Sequence, residues 1–328
     1  MRIGVVGVGS LGFHHVRILR DLPGVELVGF YEIRPERAAA VAQELGVRPF
    51  SSLEELVEGC QALTVAVPTK AHHSVAKVAL EHGCHLLIEK PIAATLAEAD
   101  EIVELAERAG VVVQTGHVER FNRAVRGAWG LVANPRYLES DRLAPFTPRG
   151  ADVAVVLDLM IHDIDLVLTL MGSDVGGISA IGVPVLTRSI DIANARLTFR
   201  SGAVANITAS RVAREKMRKV RIFQESGYLS LDLATGRGEF FRLRRDLDLT
   251  LLASSPQPLE AFVERIELEA PEAEPLRLEF ESFLAAVRGE SPVTVSARAG
   301  RDALALALRI EAEIHRGLRE AQAARDSG

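Results

Sequence analysis

The stretch RIGVVGVGSLG at residues 2–12 decides the fold of this chain of 328 residues. A short β-branched run leads into Gly7, Gly9 and Gly12, which have the G-x-G-x-x-G spacing and enclose Ser10 and Leu11. A helical pattern follows. The first glycine allows a tight turn, the second lets a pyrophosphate approach the backbone, and the third lets the helix pack on the strand. The N–H groups at the start of the helix favour phosphate. The stretch therefore predicts a dinucleotide site.

Strand and helix patterns alternate from here to residue 117. Further strands are predicted near 25–31, 48–50, 62–67, 85–88 and 111–115, and helices near 53–58, 71–82 and 96–109. Another helix should begin at Pro35 and end at Gly46, where proline and glycine are favoured. This alternation predicts an α/β domain over residues 1–117, a Rossmann-type doubly wound parallel sheet with helices on both faces.

An acidic residue, Glu32, ends the second predicted strand 20 residues after Gly12. An acid at this position binds the ribose hydroxyls of the adenosine half of a dinucleotide. A carboxylate would repel a 2′-phosphate, so Glu32 favours NAD over NADP as the cofactor. Arg34 is either a cation that weakens this preference or a solvated charge at the start of a helix.

Polar residues follow several of the other strands. They are Pro68 and Thr69 with His72, then Glu89 and Lys90 before Pro91, and His117 after Gly116. In an open α/β sheet, ligands bind at the carboxyl edge of the strands. We therefore expect cofactor-binding residues here: Pro68, Thr69, His72, Glu89, Lys90 and His117. For His72 and its neighbour His73, a surface pair at a helix start is the alternative.

The pattern changes after residue 117. A long apolar helix is predicted over about 153–170, and strands near 190–198, 203–209, 220–224, 228–232 and 239–242. Ser201-Gly202 and Ser226-Gly227 are turn signals that predict hairpins. Residues 253–275 are predicted to form a loop or insertion, followed by helices near 279–288 and 300–323. Residues 118–328 should form an α+β domain with a mostly antiparallel sheet.

The apolar helix carries Asp158, His162, Asp165 and Thr169 at spacings that place them on one face. A polar stripe on a buried helix must meet partners or a cavity. It is therefore either a satisfied internal network or an acid–base surface that faces a cleft. Asp163 lies off the stripe and is predicted to be a surface or capping charge.

Composition excludes several classes of function. The net charge of −6 argues against a generic nucleic-acid or anionic-membrane binder. The only cysteines, Cys60 and Cys84, have no metal-site spacing, so no metal is predicted, and they suit a reducing cytoplasm. No apolar run reaches the length of a membrane span, and the N-terminus does not resemble a signal peptide. Arginine outnumbers lysine by 33 to 5, so titratable amines are scarce.

Together these motifs resemble the glucose–fructose oxidoreductase, inositol dehydrogenase and rhizopine-catabolism (Gfo/Idh/MocA) family. The resemblance spans Gly7 to Asp165 and continues in EFESFLAAVRG near the C-terminus; it rests on GVGSLG, Glu32, VPTKAHH, IEKPIA, GHVERFN and LDLMIHDID. It implies an NAD(P)-dependent dehydrogenase with Lys90, Asp158 and His162 around the reacting carbinol. It also implies a Lys90-Pro91 bond that is often cis.

The chemistry of these three side chains suits the oxidation of a secondary alcohol. Neutral His162 can take the hydroxyl proton, and Asp158 can stabilise the imidazolium. Lys90 can stabilise a developing alkoxide or, if desolvation lowers its pKa, act as the base itself. The sequence leaves this choice open.

Within the family, GHVERFN and LDLMIHDIDL resemble the branch that oxidises nucleotide sugars, notably UDP-N-acetylglucosamine 3-dehydrogenases. Arg120, Asn122 and Arg142 could bind a sugar or its diphosphate, or they could be ordinary loop and strand polarity. The basic run at 211–221 could attract a phosphorylated substrate or be a solvated face.

The resemblance leaves several functions open. The alternatives are an inositol or monosaccharide dehydrogenase, an NAD-dependent glycoside hydrolase and a non-catalytic NAD-binding regulator. Intact Lys90, Asp158 and His162 argue against the regulator. Related proteins commonly pair through the sheet of the second domain, which implies a homodimer or homotetramer.

Overall fold

The computed structural model describes residues 1–148, 150, 153–244 and 262–326. The chain divides into two compact units, Met1–Val118 with Leu276–Ala305 and Glu119–Pro275 with Leu306–Gly328. Residues 276–305, predicted to be part of the second domain, thus belong to the first unit. None of the helices in the described ranges is long and apolar enough to cross a membrane.

The first unit contains a five-stranded parallel sheet in the order β2-β1-β3-β4-β5. Its strands are β1 (Arg2–Val6), β2 (Glu26–Tyr31), β3 (Ala62–Val65), β4 (His85–Glu89) and β5 (Val113–Gly116). The predicted parallel sheet is confirmed. The predicted strand at 48–50 is wrong: it forms only one isolated bridge, between Pro49 and Phe30. Pro49 has no N–H to extend a ladder.

Helices separate these strands as predicted. They are α1 (Ser10–Arg20), α2 (Pro35–Leu45), α3 (Leu53–Glu58), α4 (His72–Glu81) and α5 (Leu96–Ala109). Pro35 begins α2 and Gly46 ends it with φ of +66°, as the sequence predicts. Thr95 and Glu98 form a reciprocal capping box that fixes the start of α5. Because every connection carries a helix, the carboxyl ends of all five strands lie along one edge of the sheet.

The second unit contains an eight-stranded sheet in the order β13-β12-β11-β10-β6-β9-β8-β7. Its strands are β6 (Tyr137–Leu143), β7 (Val175–Val183), β8 (Ile192–Phe199), β9 (Val204–Ser210), β10 (Met217–Gln224), β11 (Gly227–Asp232), β12 (Arg237–Leu243) and β13 (Val263–Glu267). Every neighbouring pair is antiparallel except β6 and β9. The mostly antiparallel sheet and both predicted hairpins are confirmed.

Three of these strands are not in the sequence prediction. β6 carries Arg142 on its buried face, and β7 is rich in glycine, so neither has the expected pattern. β13 lies within 253–275, where the prediction of a loop is wrong for Val263–Glu267; residues 253–261 lie outside the described residues. Charged partners across β12 and β13, such as Arg242 and Glu264, replace the apolar pairs that mark a strand.

The long helix predicted at 153–170 is wrong in its details. The segment Val156–Met160 is π-helical, and the α-helix α7 spans Ile161–Met171 and packs against β6 and β9. A π-helical turn holds an extra residue, so Asp158 does not keep the α-helical spacing to His162. The unit also contains α6 (Arg123–Ala128).

Two helices follow β13. They are α8 (Pro275–Val287) and α9 (Ala297–Asp326), close to the predicted bounds. Phe280 and Phe283 of α8 are fully buried in the core of the first unit, in one cluster with Val5, Leu19 and Phe30. The sheet of the first unit is thereby stabilised by a segment distant in sequence.

Candidate functional site

The glycine-rich turn after β1 has the geometry of a phosphate cradle. Gly7 has φ of +83°, and its N–H donates to the carbonyl oxygen of Tyr31 at 2.8 Å. A Cβ on Gly12 would overlap the carbonyl oxygen of Gly7, so this position tolerates only glycine. At Gly9, by contrast, the nearest atom to a Cβ is Nη2 of Arg34 at 3.9 Å. Gly7 and Gly12 therefore build the turn, and Gly9 leaves room for a ligand.

Glu32 lies beside this turn. Its Oε2 accepts a hydrogen bond from the N–H of Val8 at 3.0 Å, and its Oε1 accepts from Nε of Arg34 at 2.8 Å. Burial would raise the pKa of Glu32, but the bonds from Arg34 and Val8 hold it below its ordinary value. Glu32 is therefore a carboxylate fixed next to the cradle, and Arg34 covers it as an exposed ion-pair partner.

Arg37 of α2 supports the same turn. Its Nε donates to the carbonyl oxygen of Val8 at 2.7 Å, its Nη2 donates to that of Gly9 at 3.2 Å, and its guanidinium lies over the ring of Phe13. Sequence reasoning missed Arg37 because a charged residue in the first turns of a helix looks like ordinary surface polarity.

The remaining predicted cofactor residues of this edge lie where the sequence places them. Ser10 and Leu11 form the first turn of α1. Pro68 and Thr69 begin a short 3₁₀ turn after β3. His117 follows β5 and is buried.

His72 at the start of α4 is also buried. Its Nε2 lies 2.9 Å from the carbonyl oxygen of Val67, and its Nδ1 lies 2.8 Å from that of Pro91. Burial lowers the pKa of His72. Since both ring nitrogens contact backbone, the ring links the loop after β3 to the loop after β4.

The Glu89-Lys90-Pro91 segment ends β4. The Lys90-Pro91 peptide bond is cis, as the resemblance implies. Glu89 is buried, and its Oε1 lies 3.1 Å from Nε2 of the fully buried His15. Lys90 is half-buried. His15 is a further residue that sequence reasoning missed, since an α1 histidine gives no sign of its partner in β4.

In the second unit, the candidate acid–base residues lie on the helical segment after residue 153. Asp158 lies in the π-helical segment, with Oδ2 3.7 Å from Nη2 of Arg211. His162 lies in the first turn of α7 and is half-buried. Arg211 is buried and donates to the carbonyl oxygens of Gly150 and Val153, each at 2.6 Å. Its guanidinium thereby fixes the chain next to Asp158.

The C-terminal part of the predicted polar stripe, Asp165 and Thr169, is hydrogen-bonded within the protein. Arg120 donates to both carboxylate oxygens of Asp165 at 2.7 Å, and the Thr169 hydroxyl donates to the carbonyl oxygen of Asp165. Asp165 and the Arg120 side chain are nearly inaccessible to solvent. Of the ionisable residues in the stripe, only Asp158 and His162 are thus partly exposed to solvent. These two remain the candidates for acid–base chemistry.

The prediction that Asp163 is a surface or capping charge is wrong. Its carboxylate is buried and accepts from Nε of Arg142 at 2.6 Å and from the hydroxyl of Ser140 at 2.9 Å. Arg142 also donates to Glu119 at 2.8 Å. Burial would lower the pKa of Arg142, but Asp163 and Glu119 hold it above its ordinary value. The spacing along the helix could not reveal a partner on β6.

Asn122 is occupied in a similar way. Its side chain accepts from the N–H of Ala124 as the N-cap of α6, and donates to Glu119 and to the carbonyl oxygen of Leu233. The contacts of Asn122 and Arg142 do not support the predicted role in substrate binding.

The basic run 211–221 does not form one surface. Arg211 is buried, Arg218 contacts Glu119 at 3.3 Å, and Arg221 pairs with Glu139. Lys216 and Lys219 are exposed. The described residues contain no group of three or more His, Cys, Asp or Glu side chains that could hold a metal ion.

A dinucleotide fits the residues of the first unit. The open position at Gly9 admits a phosphate, the N-terminus of α1 supplies N–H groups and a positive dipole, and Glu32 supplies an acceptor for ribose hydroxyls. These are the features that the sequence motif predicts.

Comparison with known proteins identifies the family. A model described as an oxidoreductase family with an NAD-binding Rossmann fold matches residues 1–117, and one for the GFO/IDH/MocA C-terminal domain matches residues 123–230. The chain belongs to the Gfo/Idh/MocA family. It is therefore a nicotinamide-dependent oxidoreductase, and the predicted family, fold class and enzyme class are confirmed.

Individual relatives extend this result over up to 96% of the chain. UDP-N-acetylglucosamine 3-dehydrogenase of Acidithiobacillus ferrooxidans is 37% identical over 318 residues, which cover 96% of this chain and 97% of that enzyme. A solved structure of that enzyme matches with a TM-score of 0.86, 36% identity and the same coverage of both chains. The scyllo-inositol 2-dehydrogenase (NAD(+)) of Bacillus subtilis is 29% identical, covering 65% of this chain and 68% of that enzyme.

A third comparison concerns the fold alone. The structure of scyllo-inositol dehydrogenase from Lactobacillus casei, with bound NAD(H) and scyllo-inositol, matches with a TM-score of 0.78 at 20% identity and covers 97% of each chain.

Proposed function

We propose that this enzyme oxidises the C3 hydroxyl of UDP-N-acetylglucosamine, or of a closely similar nucleotide sugar, with NAD as the hydride acceptor. The observation that carries the proposal is the 37% identity to a UDP-N-acetylglucosamine 3-dehydrogenase along 96% of this chain. The inositol dehydrogenase of Bacillus subtilis matches at lower identity over 65% of the chain.

Three side chains of this chain supply the proton chemistry. NAD, held at the glycine-rich turn and by Glu32, would supply the acceptor for the hydride of the carbinol carbon. His162 accepts the hydroxyl proton, because a neutral imidazole can act as a general base. The Asp158 carboxylate stabilises the resulting imidazolium. The ammonium of Lys90 donates a hydrogen bond to the oxygen as negative charge develops on it.

The roles of the residues that support the site are inferred from their hydrogen-bond partners. Arg120, Asn122 and Arg142 stabilise the second unit, because their donors bind protein carboxylates and carbonyls. The preference for NAD over NADP rests on Glu32, whose carboxylate lies at the cradle and would repel a 2′-phosphate.

The substrate is tested by offering the purified protein a panel of UDP-sugars, free hexoses and inositols with NAD or NADP and following NADH or NADPH absorbance. We expect turnover with UDP-N-acetylglucosamine and NAD. Turnover with inositols but not with UDP-sugars would favour the second candidate, an inositol dehydrogenase, which the relative at 29% identity suggests. Glycoside cleavage without net NADH would instead indicate a hydrolase that borrows NAD.

The catalytic roles are tested by Lys90→Met and His162→Ala. Each should reduce kcat by about 100-fold or more, the usual contribution of a general acid or base. NAD should still raise the melting temperature of both variants. Matched controls are Lys77→Met, in a surface ion pair, and His82→Ala, an exposed residue at the end of α4. If Lys90 is the base, Lys90→Met and not His162→Ala will remove the acidic limb, the loss of activity toward low pH, from the pH dependence of kcat.

We also propose a homodimer or homotetramer that pairs through the sheet of the second unit. Four half-buried aromatic rings stack in a row across β6, β10, β11 and β12, at centroid distances of 5.6, 5.5 and 4.6 Å: Tyr137, Phe223, Tyr228 and Phe241. Light scattering should give the mass of two or four chains, and Phe223→Glu should lower this mass.

The free thiols of Cys60 and Cys84 support a cytoplasmic location, testable by cell fractionation.

A further inference from the structure

Two pairs of adjacent histidines flank the candidate cofactor site in sequence. Each pair consists of one buried and one more accessible residue. His15 and His72 are buried to 0% and 1% exposure, whereas His14 is exposed and His73 is half-buried against Glu101. His15 lies on α1 directly after the glycine-rich turn, and His72 begins α4. The ring nitrogens of both buried histidines contact protein atoms.

His15 fixes Glu89. The Glu89 carboxylate can only accept, so Nε2 of His15 carries the proton of their 3.1 Å hydrogen bond. Nδ1 lies 3.1 Å from the hydroxyl of Thr64, within hydrogen-bonding distance, and the ring of Phe280 packs edge-on against the imidazole. Both ring nitrogens of His15 therefore have a hydrogen-bond partner, and one orientation of the ring is selected.

The backbone of Gly116 packs closely against the Glu89 carboxylate. A Cβ at Gly116 would lie 2.9 Å from the carboxyl carbon and from Oε2 of Glu89. The carboxylate thus occupies space that only glycine at position 116 leaves open. Glu89 is held between the backbone of β5 and the His15 ring, and it has little freedom to move.

His72 fixes the residue on the other side of Lys90. Its Nδ1 contacts the carbonyl oxygen of Pro91 at 2.8 Å, and its Nε2 contacts that of Val67 at 2.9 Å. Carbonyl oxygens only accept, so a neutral ring donates to one of them and the imidazolium to both. The loops after β3 and β4 are joined through this ring.

We propose that His15 and His72 are positioning residues for Lys90, each anchoring one of its two chain neighbours. The ammonium of Lys90 sits on a long flexible stem, so its placement depends on a backbone that is fixed on both sides. Misplacing a catalytic group by about 1 Å can cost about 100-fold in rate. The inference rests on the proposed function in one respect, the catalytic role of Lys90.

Kinetics test the proposal with graded substitutions. His15→Leu and His72→Leu remove the hydrogen bonds, whereas His15→Gln and His72→Gln keep an amide donor. We expect the leucine variants to lower kcat by about tenfold to 100-fold with KM for the sugar changed less than about threefold, and the glutamine variants to recover part of the loss. His14→Leu and His73→Leu are the matched controls and should retain kcat.

A second measurement does not depend on turnover. The chain has only five lysines, so isotope-labelled reductive methylation should give few, resolvable dimethyl-lysine NMR signals, and Lys90→Arg identifies that of Lys90. In folded His15 and His72 variants this signal should shift, and in the His14 and His73 controls it should not. An unmoved Lys90 signal together with an unchanged kcat would refute the proposal. A shifted signal in a protein without activity on any substrate would instead refute the proposed function and leave the positioning role standing.

Discussion

The guanidinium of Arg142 on β6 donates from Nε to Oδ2 of Asp163 on α7 at 2.6 Å, and both side chains are almost fully buried. The same guanidinium contacts Glu119. Arg142 therefore neutralises two buried carboxylates, Glu119 and Asp163, and Asp163 lies on the helix that carries His162. Removing one partner of such a pair leaves an uncompensated buried charge.

Replacing this arginine should therefore affect stability more than substrate affinity. We expect Arg142→Leu to lower the free energy of unfolding by about 3–5 kcal/mol, measured by urea denaturation. The control is Arg277→Leu, which breaks an exposed ion pair with Glu281 and should cost less than about 1 kcal/mol. A stable Arg142→Leu protein with a greatly raised KM for the sugar would instead indicate that Arg142 binds the substrate.

The contrast between Arg142 and Gly7 shows what sequence can reveal about this enzyme. The glycine-rich turn, Glu32 and the order of strands and helices depend on residues close in sequence, where spacing fixes geometry. These features were predictable. The partners of Asp163, Asp165 and His15 come from other elements, 23, 45 and 74 residues away, and no local pattern encodes such contacts.

Other elements escaped prediction for a different reason. β6 and β13 are stabilised by charged side chains that meet across strands, so their sequences lack the apolar alternation by which strands are recognised. The π-helical segment at Val156–Met160 has the composition of an ordinary apolar helix. The packing around this segment determines its π-helical geometry, which the amino-acid composition does not reveal.

Gly9 and Gly12 should respond differently to the same substitution. A Cβ at Gly12 would overlap the carbonyl oxygen of Gly7, whereas a Cβ at Gly9 finds no atom closer than 3.9 Å. We therefore expect Gly12→Ala to lower the melting temperature clearly. Gly9→Ala should leave the apo protein as stable as the wild type but weaken NAD binding by about tenfold or more, because the methyl group occupies the approach of the phosphate.

Calorimetric titration with NAD and thermal melts of both variants measure these effects. Equal loss of stability in both would show that Gly9 is only a structural residue. Gly46→Ala serves as a control for a glycine with positive φ outside the site, and it should cost stability without changing NAD affinity.

Glu32 should control the choice of cofactor. Glu32→Gln removes the charge that repels a 2′-phosphate and releases Arg34 from its ion pair. We expect the ratio of kcat/KM for NAD to that for NADP to fall by about tenfold to 100-fold, the value of one or two hydrogen bonds to a charged group. Glu36→Gln, an exposed change in the first turn of α2, should leave the ratio unaltered. An unchanged ratio in Glu32→Gln would assign the preference to other residues.

Asp191 should make the second unit sensitive to acid. Its buried carboxylate accepts hydrogen bonds from the N–H groups of Val185, Leu186 and Thr187 and from the Thr187 hydroxyl. Burial alone would raise the pKa of Asp191, but these bonds lower it to about 2. The ordinary aspartate pKa is about 3.9, so the unfolded chain binds this proton at a higher pH than the folded chain does.

Stability from this carboxylate is therefore complete above about pH 4 and is lost as the pH falls toward 2, with a total of about 2 kcal/mol. Asp191→Asn should be less stable at neutral pH, because the amide presents a single acceptor oxygen, and should show a smaller loss between pH 4 and pH 2. Urea denaturation at several pH values measures both, with Asp174→Asn, at an exposed aspartate, as the control. Parallel stability curves for Asp191→Asn and the wild type between pH 4 and pH 2 would mean that Asp191 is not an acid-sensitive anchor of this loop.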